Sequence, residues 1–132
     1  DDGITDRSRS IAVSVGAQFE HLGLNHADIY NSPMLRTVQT AGYMFNRAAS
    51  GEDWLISCKD HILQEALAHK LAGRNLILVT HSECMAELEK DLNAPVSDPG
   101  YGSSLFVSAA NKADPRVLGF IEASDWHSVS TR

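Results

Sequence analysis

Two residues in this sequence stand where strands give way to helices, and their types suit phosphate chemistry. His81 closes the run Leu76-Ile77-Leu78-Val79-Thr80. That apolar, partly β-branched run reads as a parallel strand covered on both faces. Ligands of open α/β sheets bind outside the carboxyl ends of the strands, where a histidine can titrate, donate hydrogen bonds or attack phosphorus. Arg36 follows the short strand Ala27-Asp28-Ile29-Tyr30-Asn31, with Ser32 as the expected N-cap and Pro33 in the first helical turn. A helix N-terminus favours an anion, and Arg adds a planar fork of donors matched to phosphate oxygens. Each residue alone has a plainer reading, a turn-capping histidine and a surface arginine. Together they define one crevice with Arg36, His81 and Ser32 as the candidate phosphate-binding residues.

The elements that must position this pair follow from pattern. Thr5 caps a helix running to about Leu22, with Ile11, Ala12, Val15 and Phe19 at helical spacing and Gly23 just past its end. The strand at 27–30 leads to a helix over 34–47. Residues 50–53 read as a turn and 54–57 as a short extended piece. A helix spans 60–72 and ends at Gly73, a strand covers 75–80 and a helix 83–92. A Pro- and Gly-rich loop over 93–102 precedes strands at 104–109 and 117–122, joined by a tight turn. Gly100-Tyr101-Gly102-Ser103-Ser104 lacks the spacing of a phosphate loop or nucleophile elbow and reads as a turn into a strand. The tail from Ser124 is polar and expected to fray. The order suggests one three-layer α/β/α domain over residues 1–132, with a mostly parallel sheet and an antiparallel edge from the last two strands.

The segment Tyr30-Asn31-Ser32-Pro33-Met34-Leu35-Arg36-Thr37-Val38-Gln39-Thr40-Ala41 resembles the "SSPxxRTxQTA" signature of the histidine phosphatase (phosphoglycerate mutase-like) superfamily. Ile4-Thr5 with Ala12 and Gly16 is similar to an earlier family segment, and Val79-Thr80-His81-Ser82 to the strand bearing its second catalytic histidine. Asp98-Pro99-Gly100-Tyr101 and Thr80-His81-Ser82-Glu83-Cys84 look most like the Ais-type branch, which would imply phosphates of a lipopolysaccharide core. The resemblance implies a phosphohistidine mechanism in which Arg36 and His81 hold the phosphoryl oxygens, no metal or other cofactor is needed, and a carboxylate protonates the leaving oxygen. Asp60 and Glu65 fall in the region where that carboxylate is expected, and Glu83 is a further candidate. The substrate would be a phosphorylated small molecule or phosphorylated glycan.

The family's nucleophile lies in an Arg-His-Gly motif, and none occurs here. The resemblance places that motif, and the sheet's first strand, upstream of Asp1. A non-catalytic phosphate-binding or scaffold domain of the same fold is the alternative, and a flavodoxin-like module without phosphate chemistry a third.

Composition bounds these readings. A chain of 132 residues suits one domain with a core of its own. The net charge of −6, without a basic stripe, argues against a nucleic-acid partner and makes any phosphate site a local positive island. No apolar run approaches the roughly 20 residues of a membrane-spanning helix. His21, His26, His61, His69 and His127 lack metal-ligand spacing and are expected to face solvent or cap helices. Cys58 and Cys84 are read as free thiols, with Cys84 as a small apolar residue, although a bridge between them stays open. Compartment and oligomeric state are not fixed by the sequence.

Overall fold

The computed structural model describes residues 2–47 and 49–126. In chain order the helices are α1 (Asp6–His21), α2 (Leu35–Phe45), α3 (Ile62–His69) and α4 (Ser82–Asp91). The strands are β1 (Ala27–Asn31), β2 (Ser50–Gly51), β3 (Asn75–Val79), β4 (Ser104–Ser108) and β5 (Arg116–Ile121). Short 3₁₀ turns occupy Asp53–Leu55 and Ala123–Asp125. The fold is α/β. A parallel sheet of order β2-β1-β3 is accompanied by an antiparallel β4-β5 pair.

Strand alternation builds the layers. Ile29 and Ile77 stand level in the β1–β3 ladder, and Ile77 packs with Val15 and Phe19 of α1 and Met44 and Phe45 of α2. The next pair, Tyr30 and Leu78, points to the other face, against Leu55, Cys58, Ile62 and Cys84 beneath α3 and α4. The period of two therefore sends alternate residues into two separate cores. Trp126 is 2% exposed and packs at a tilt against Phe19 and edge-on against Phe106, with ring centroids 5.3 and 5.9 Å apart.

The first helix begins and ends on its expected residues. Thr5 accepts from the Ser8 amide, and Gly23 follows the Leu22 C-cap at φ +71°, a left-handed conformation that glycine adopts without penalty. Inside α1, a Cβ added to Gly16 would stand 2.0 Å from the Met44 carbonyl oxygen. The two helices cross at that point because no side chain intervenes.

Several expectations need correction. Ser32 does not cap α2; it extends the β1 ladder, donating its amide to Val79 O at 3.1 Å, and α2 starts at Leu35 with Met34 as its cap residue. Residues 50–51 are a strand and 53–55 a 3₁₀ turn, where a turn and an extended piece were expected. Helix α3 is shorter than 60–72 because Asp60 is left-handed (φ 64°) and Lys70 turns extended, leaving Leu71 with no core to cover. Strand β3 is only partly buried, since β1 pairs with one side of it and its other edge has no strand partner among the described residues. The antiparallel pair stands as a sheet of its own, and among the described residues no ladder joins it to β3. The expected fraying at Ser124 is countered as far as Trp126 by the aromatic cluster; His127 and the rest of the tail lie outside the described residues.

The two cysteines are not free thiols. Cys58 and Cys84 form a disulfide, with Cα atoms 5.6 Å apart, inside the core under α3 and α4. The bridge ties the segment after β2 to the first turn of α4. Thr80 adds a second tie, donating its hydroxyl to Leu55 O at 2.5 Å.

Two predictions follow from this packing. Alanine normally exceeds glycine inside a helix by up to about 1 kcal/mol, but Gly16→Ala must separate two backbones and should cost about 1–3 kcal/mol. Gly42→Ala on α2, where nothing lies within 4 Å, should instead stabilise the fold. Urea midpoints moving in opposite directions will check this, and equal shifts would refute the close crossing. The Cys58→Ser/Cys84→Ser double variant opens a loop with a sequence separation of 26 and should lose about 3–4 kcal/mol on the loop-entropy account. Denaturant unfolding that gives an unchanged free energy would contradict a bridge in the native state.

Candidate functional site

Three parallel strand ends come level at one edge of the sheet. Asn31 of β1 is in register with Gly51 of β2 on one side and Val79 of β3 on the other. The residues just beyond them are Glu52, Ser32 and Thr80, followed by Asp53, Pro33 and His81. This is the carboxyl edge, where such sheets bind ligands.

Ser32 and His81 meet there. Ser32 Oγ lies 2.8 Å from His81 Nε2 and 2.5 Å from Thr37 Oγ1. The Met34 amide also donates to Ser32 Oγ at 3.3 Å. Thr37, on the first turn of α2, is buried and sits 2.9 Å from both the Ser32 and Met34 carbonyls.

Counting protons assigns the direction of these bonds. Carbonyls only accept, so Thr37 must direct its single proton at them to avoid bare oxygen–oxygen contact. Thr37 Oγ1 then accepts from the Ser32 hydroxyl. Ser32 Oγ in turn accepts from His81 Nε2–H. The neutral ring is thereby fixed with its proton on Nε2, and Nδ1 is the nitrogen that titrates.

Burial pushes the His81 pKa down. Glu83 opposes this by raising it, and the positive charge of Arg36 adds to the lowering. Arg36 stands in the first turn of α2, which follows β1 at this edge, and its charge is felt at the His81 ring. Arg36 is exposed, and no ion pair engages its guanidinium among the described residues. Its backbone is fixed by Thr40, whose hydroxyl donates to Arg36 O at 2.7 Å and meets Tyr101 Oη at 2.6 Å. The loop before β4 is thus pinned to α2 one turn beyond the arginine.

The sequence-level site residues separate into three groups. Arg36 and His81 share the carboxyl edge. Ser32 is 0% exposed, so its hydroxyl orients His81 and stays behind it. Asp60 is exposed in a turn, and Glu65 lies on α3 with its carboxylate 3.9 Å from His69 Nδ1; no hydrogen bond or ion pair among the described residues joins either to His81 or Arg36. His69 itself packs between Tyr30 and Trp54, with centroids 5.0 and 4.9 Å away, and its Nδ1 lies 2.7 Å from Glu65 O in the last turn of α3, so it caps that helix end rather than facing solvent.

The acidic pair Glu52 and Asp53 was not singled out in the sequence, yet β2 brings it to the same edge as Ser32. The Glu52 amide donates to Asn31 O at 2.8 Å, and a Cβ on Gly51 would meet Pro33 Cα at 3.5 Å. The available signal was the spacing of a strand end 20 residues after that of β1 (Asn31 to Gly51), but a two-residue strand leaves no periodicity to read. No group of three or more His, Cys, Asp or Glu that could hold a metal occurs among the described residues. No described helix is long and apolar enough to cross a membrane.

A strand-end imidazole and an exposed guanidinium thus stand at the carboxyl edge of the sheet. Relatives of the chain are named as phosphatases. The chain is 26% identical over 112 residues to a protein named lipopolysaccharide core heptose(II)-phosphate phosphatase from Salmonella arizonae, covering 83% of this chain and 55% of that protein. Proteins of the same name from Salmonella paratyphi B and Salmonella typhimurium are 25% identical over the same shares. The chain therefore spans about half the length of the curated relatives it matches. No protein-family model matches it, and no solved structure gives a significant match.

The lowered pKa sets a pH dependence. A bound dianion favours the imidazolium, so the bound-state pKa exceeds the free-state one. Affinity must then rise as pH falls through the bound-state value and level off below the depressed free-state value. Sulfate, which stays dianionic throughout, isolates this effect. Calorimetry from neutral to mildly acidic pH should show the rise, and His81→Gln should abolish it. Nitrogen-15 spectra should show the neutral ring protonated at Nε2, with sulfate driving proton uptake at Nδ1; a neutral ring protonated at Nδ1 would overturn the assignment.

Proposed function

We propose that the chain is the phosphate-recognising part of a phosphomonoester hydrolase that works through a phosphohistidine intermediate, its attacking histidine supplied by a segment outside these 132 residues. The observation that carries this reading is the Ser32–His81 hydrogen bond, which holds an imidazole at the carboxyl edge beside Arg36. The relatives' name supports the same class.

In this reaction the attacking imidazole forms an N–P bond as the P–O ester bond breaks. Arg36 and protonated His81 neutralise charge on the equatorial oxygens, the task metal ions perform elsewhere. The leaving oxygen takes a proton from a carboxylate. We assign that role to Glu52, because β2 delivers it to the edge where Ser32 and His81 stand, in preference to Asp60 and Glu65. Water then breaks the N–P bond and releases phosphate. The substrate is a phosphorylated sugar, in keeping with the relatives, whose name specifies a lipopolysaccharide core heptose phosphate. The buried disulfide favours an oxidising compartment for such a protein.

Ser32 is not the nucleophile. Although it meets a histidine, its hydroxyl is buried and already committed to Thr37, so no phosphorus can approach it in line. The absence of an Arg-His-Gly motif favours a second reading, a phosphate-binding domain without turnover.

One set of proteins tests both. Arg36→Ala in the 132-residue chain should weaken phosphate or vanadate binding by about 2 kcal/mol or more, as expected for losing a charge-assisted bidentate contact. A chain extended to include an upstream Arg-His-Gly should hydrolyse a small phosphomonoester through an acid-labile, alkali-stable phosphoenzyme, and lose this when that histidine becomes alanine. Turnover by the short chain that His81→Ala abolishes would make His81 the nucleophile. Phosphate binding without turnover in the extended chain would select the second reading.

A further inference from the structure

A cleft of about 360 Å³ opens between the segment over 56–61 and the first two turns of α4. Lys59 and His61 line it from the segment, Glu83 and Glu87 from the helix, and Ile56 gives it an apolar wall. Its two sides are joined beneath by the Cys58–Cys84 bridge, so its width is fixed by a covalent bond. None of this is used in binding the phosphate itself.

The cleft lies along α4, the helix whose cap residue is His81. Glu83 follows His81 by two residues, and its charge is felt by the imidazole. The opposite wall continues from Glu52 and Asp53 through the 3₁₀ turn. A phosphate seated between Arg36 and His81 would therefore have the group it is attached to directed along the edge, toward α4 or away from it. The α4 side has this cleft, which is open to solvent.

The chemistry of the lining selects its occupant. Glu83 and Glu87 are one helical turn apart and present carboxylate oxygens to one space, an arrangement that accepts from neighbouring hydroxyls. Lys59 and His61 donate from across the cleft. Among the described residues none of Lys59, His61 and Glu83 is in an ion pair, and Glu87 reaches only Lys90, at 3.9 Å and in solvent. Ile56 suits the C–H face of a ring. A volume of about 360 Å³ is at the small end of ligand clefts, which bounds the occupant near one ring.

We infer that this cleft is the sugar subsite, taking the hydroxyl-bearing pyranose ring that carries the phosphate, with Lys59, His61, Glu83 and Glu87 as its specificity-determining residues. The inference rests on the phosphatase reading above and extends it from the phosphoryl group to the substrate's body.

Calorimetry on the 132-residue chain with three probes tests it: inorganic phosphate, glycerol 2-phosphate and mannose 6-phosphate. The sugar phosphate should bind roughly tenfold more tightly than the other two, equivalent to one or two added charge-assisted hydrogen bonds. Lys59→Ala and Glu87→Gln should each narrow that gap several-fold, and together erase it. Circular dichroism of each variant separates this effect from loss of fold, and Lys59→Arg should retain most of the preference. Equal binding of all three probes would overturn the subsite while leaving the phosphate reading intact, as would variants that weaken all probes alike. Failure of phosphate itself to bind would remove the parent reading and the subsite with it.

Discussion

The register between β1 and β3 governs everything this protein places at its carboxyl edge. Asn31 opposite Val79 sets Ser32 beside Thr80, and from there the Ser32 hydroxyl reaches the His81 ring. A slip of one residue would turn Ser32 to the other face of the sheet and break that bond. It would also exchange the two cores, sending Ile29 where Tyr30 now packs. The hydrophobic alternation of β1 and β3 thus enforces the alignment of polar residues several ångströms beyond it.

Much of the Arg-containing segment serves structure. Thr37 completes the proton chain that fixes the His81 tautomer. Gln39 accepts from the Ile4 amide at 2.9 Å and anchors the chain just before α1. Thr40 links Arg36 to Tyr101 in the loop before β4, and Ala41 is buried between helices. Arg36 is left pointing outward. A motif that reads as a catalytic fingerprint is, residue by residue, mostly a mount for one cation. Similarly Glu89, 2% exposed, accepts from the Ser97 amide and hydroxyl and so holds the loop after α4 in place.

The sequence made the fold class legible, and with it the places of Arg36 in the first turn of a helix and His81 just past a strand, because those signals are local. Apolar alternation, a Thr cap and a Gly terminator each act within a turn or two. What it concealed was non-local. Ser50-Gly51 has no strand character of its own and becomes β2 only because Tyr30 and Asn31 supply a ladder. Glu52 could not be placed without that strand. The cysteine pairing depends on a tertiary approach across 26 positions, which spacing does not encode. The length of α3 was overread because Leu71 continues a helical period that no core rewards.

The bridge between Cys58 and Cys84 has a consequence for how the protein matures. Cys84 is 1% exposed and Cys58 6%, on the wall of the cleft it helps to line. Thiol exchange needs an attacking thiolate in line with the bond, and the closed core leaves that one side for an approach. The pair is most readily oxidised while the chain is still open, and the folded molecule then holds its bridge as a record of where it was made.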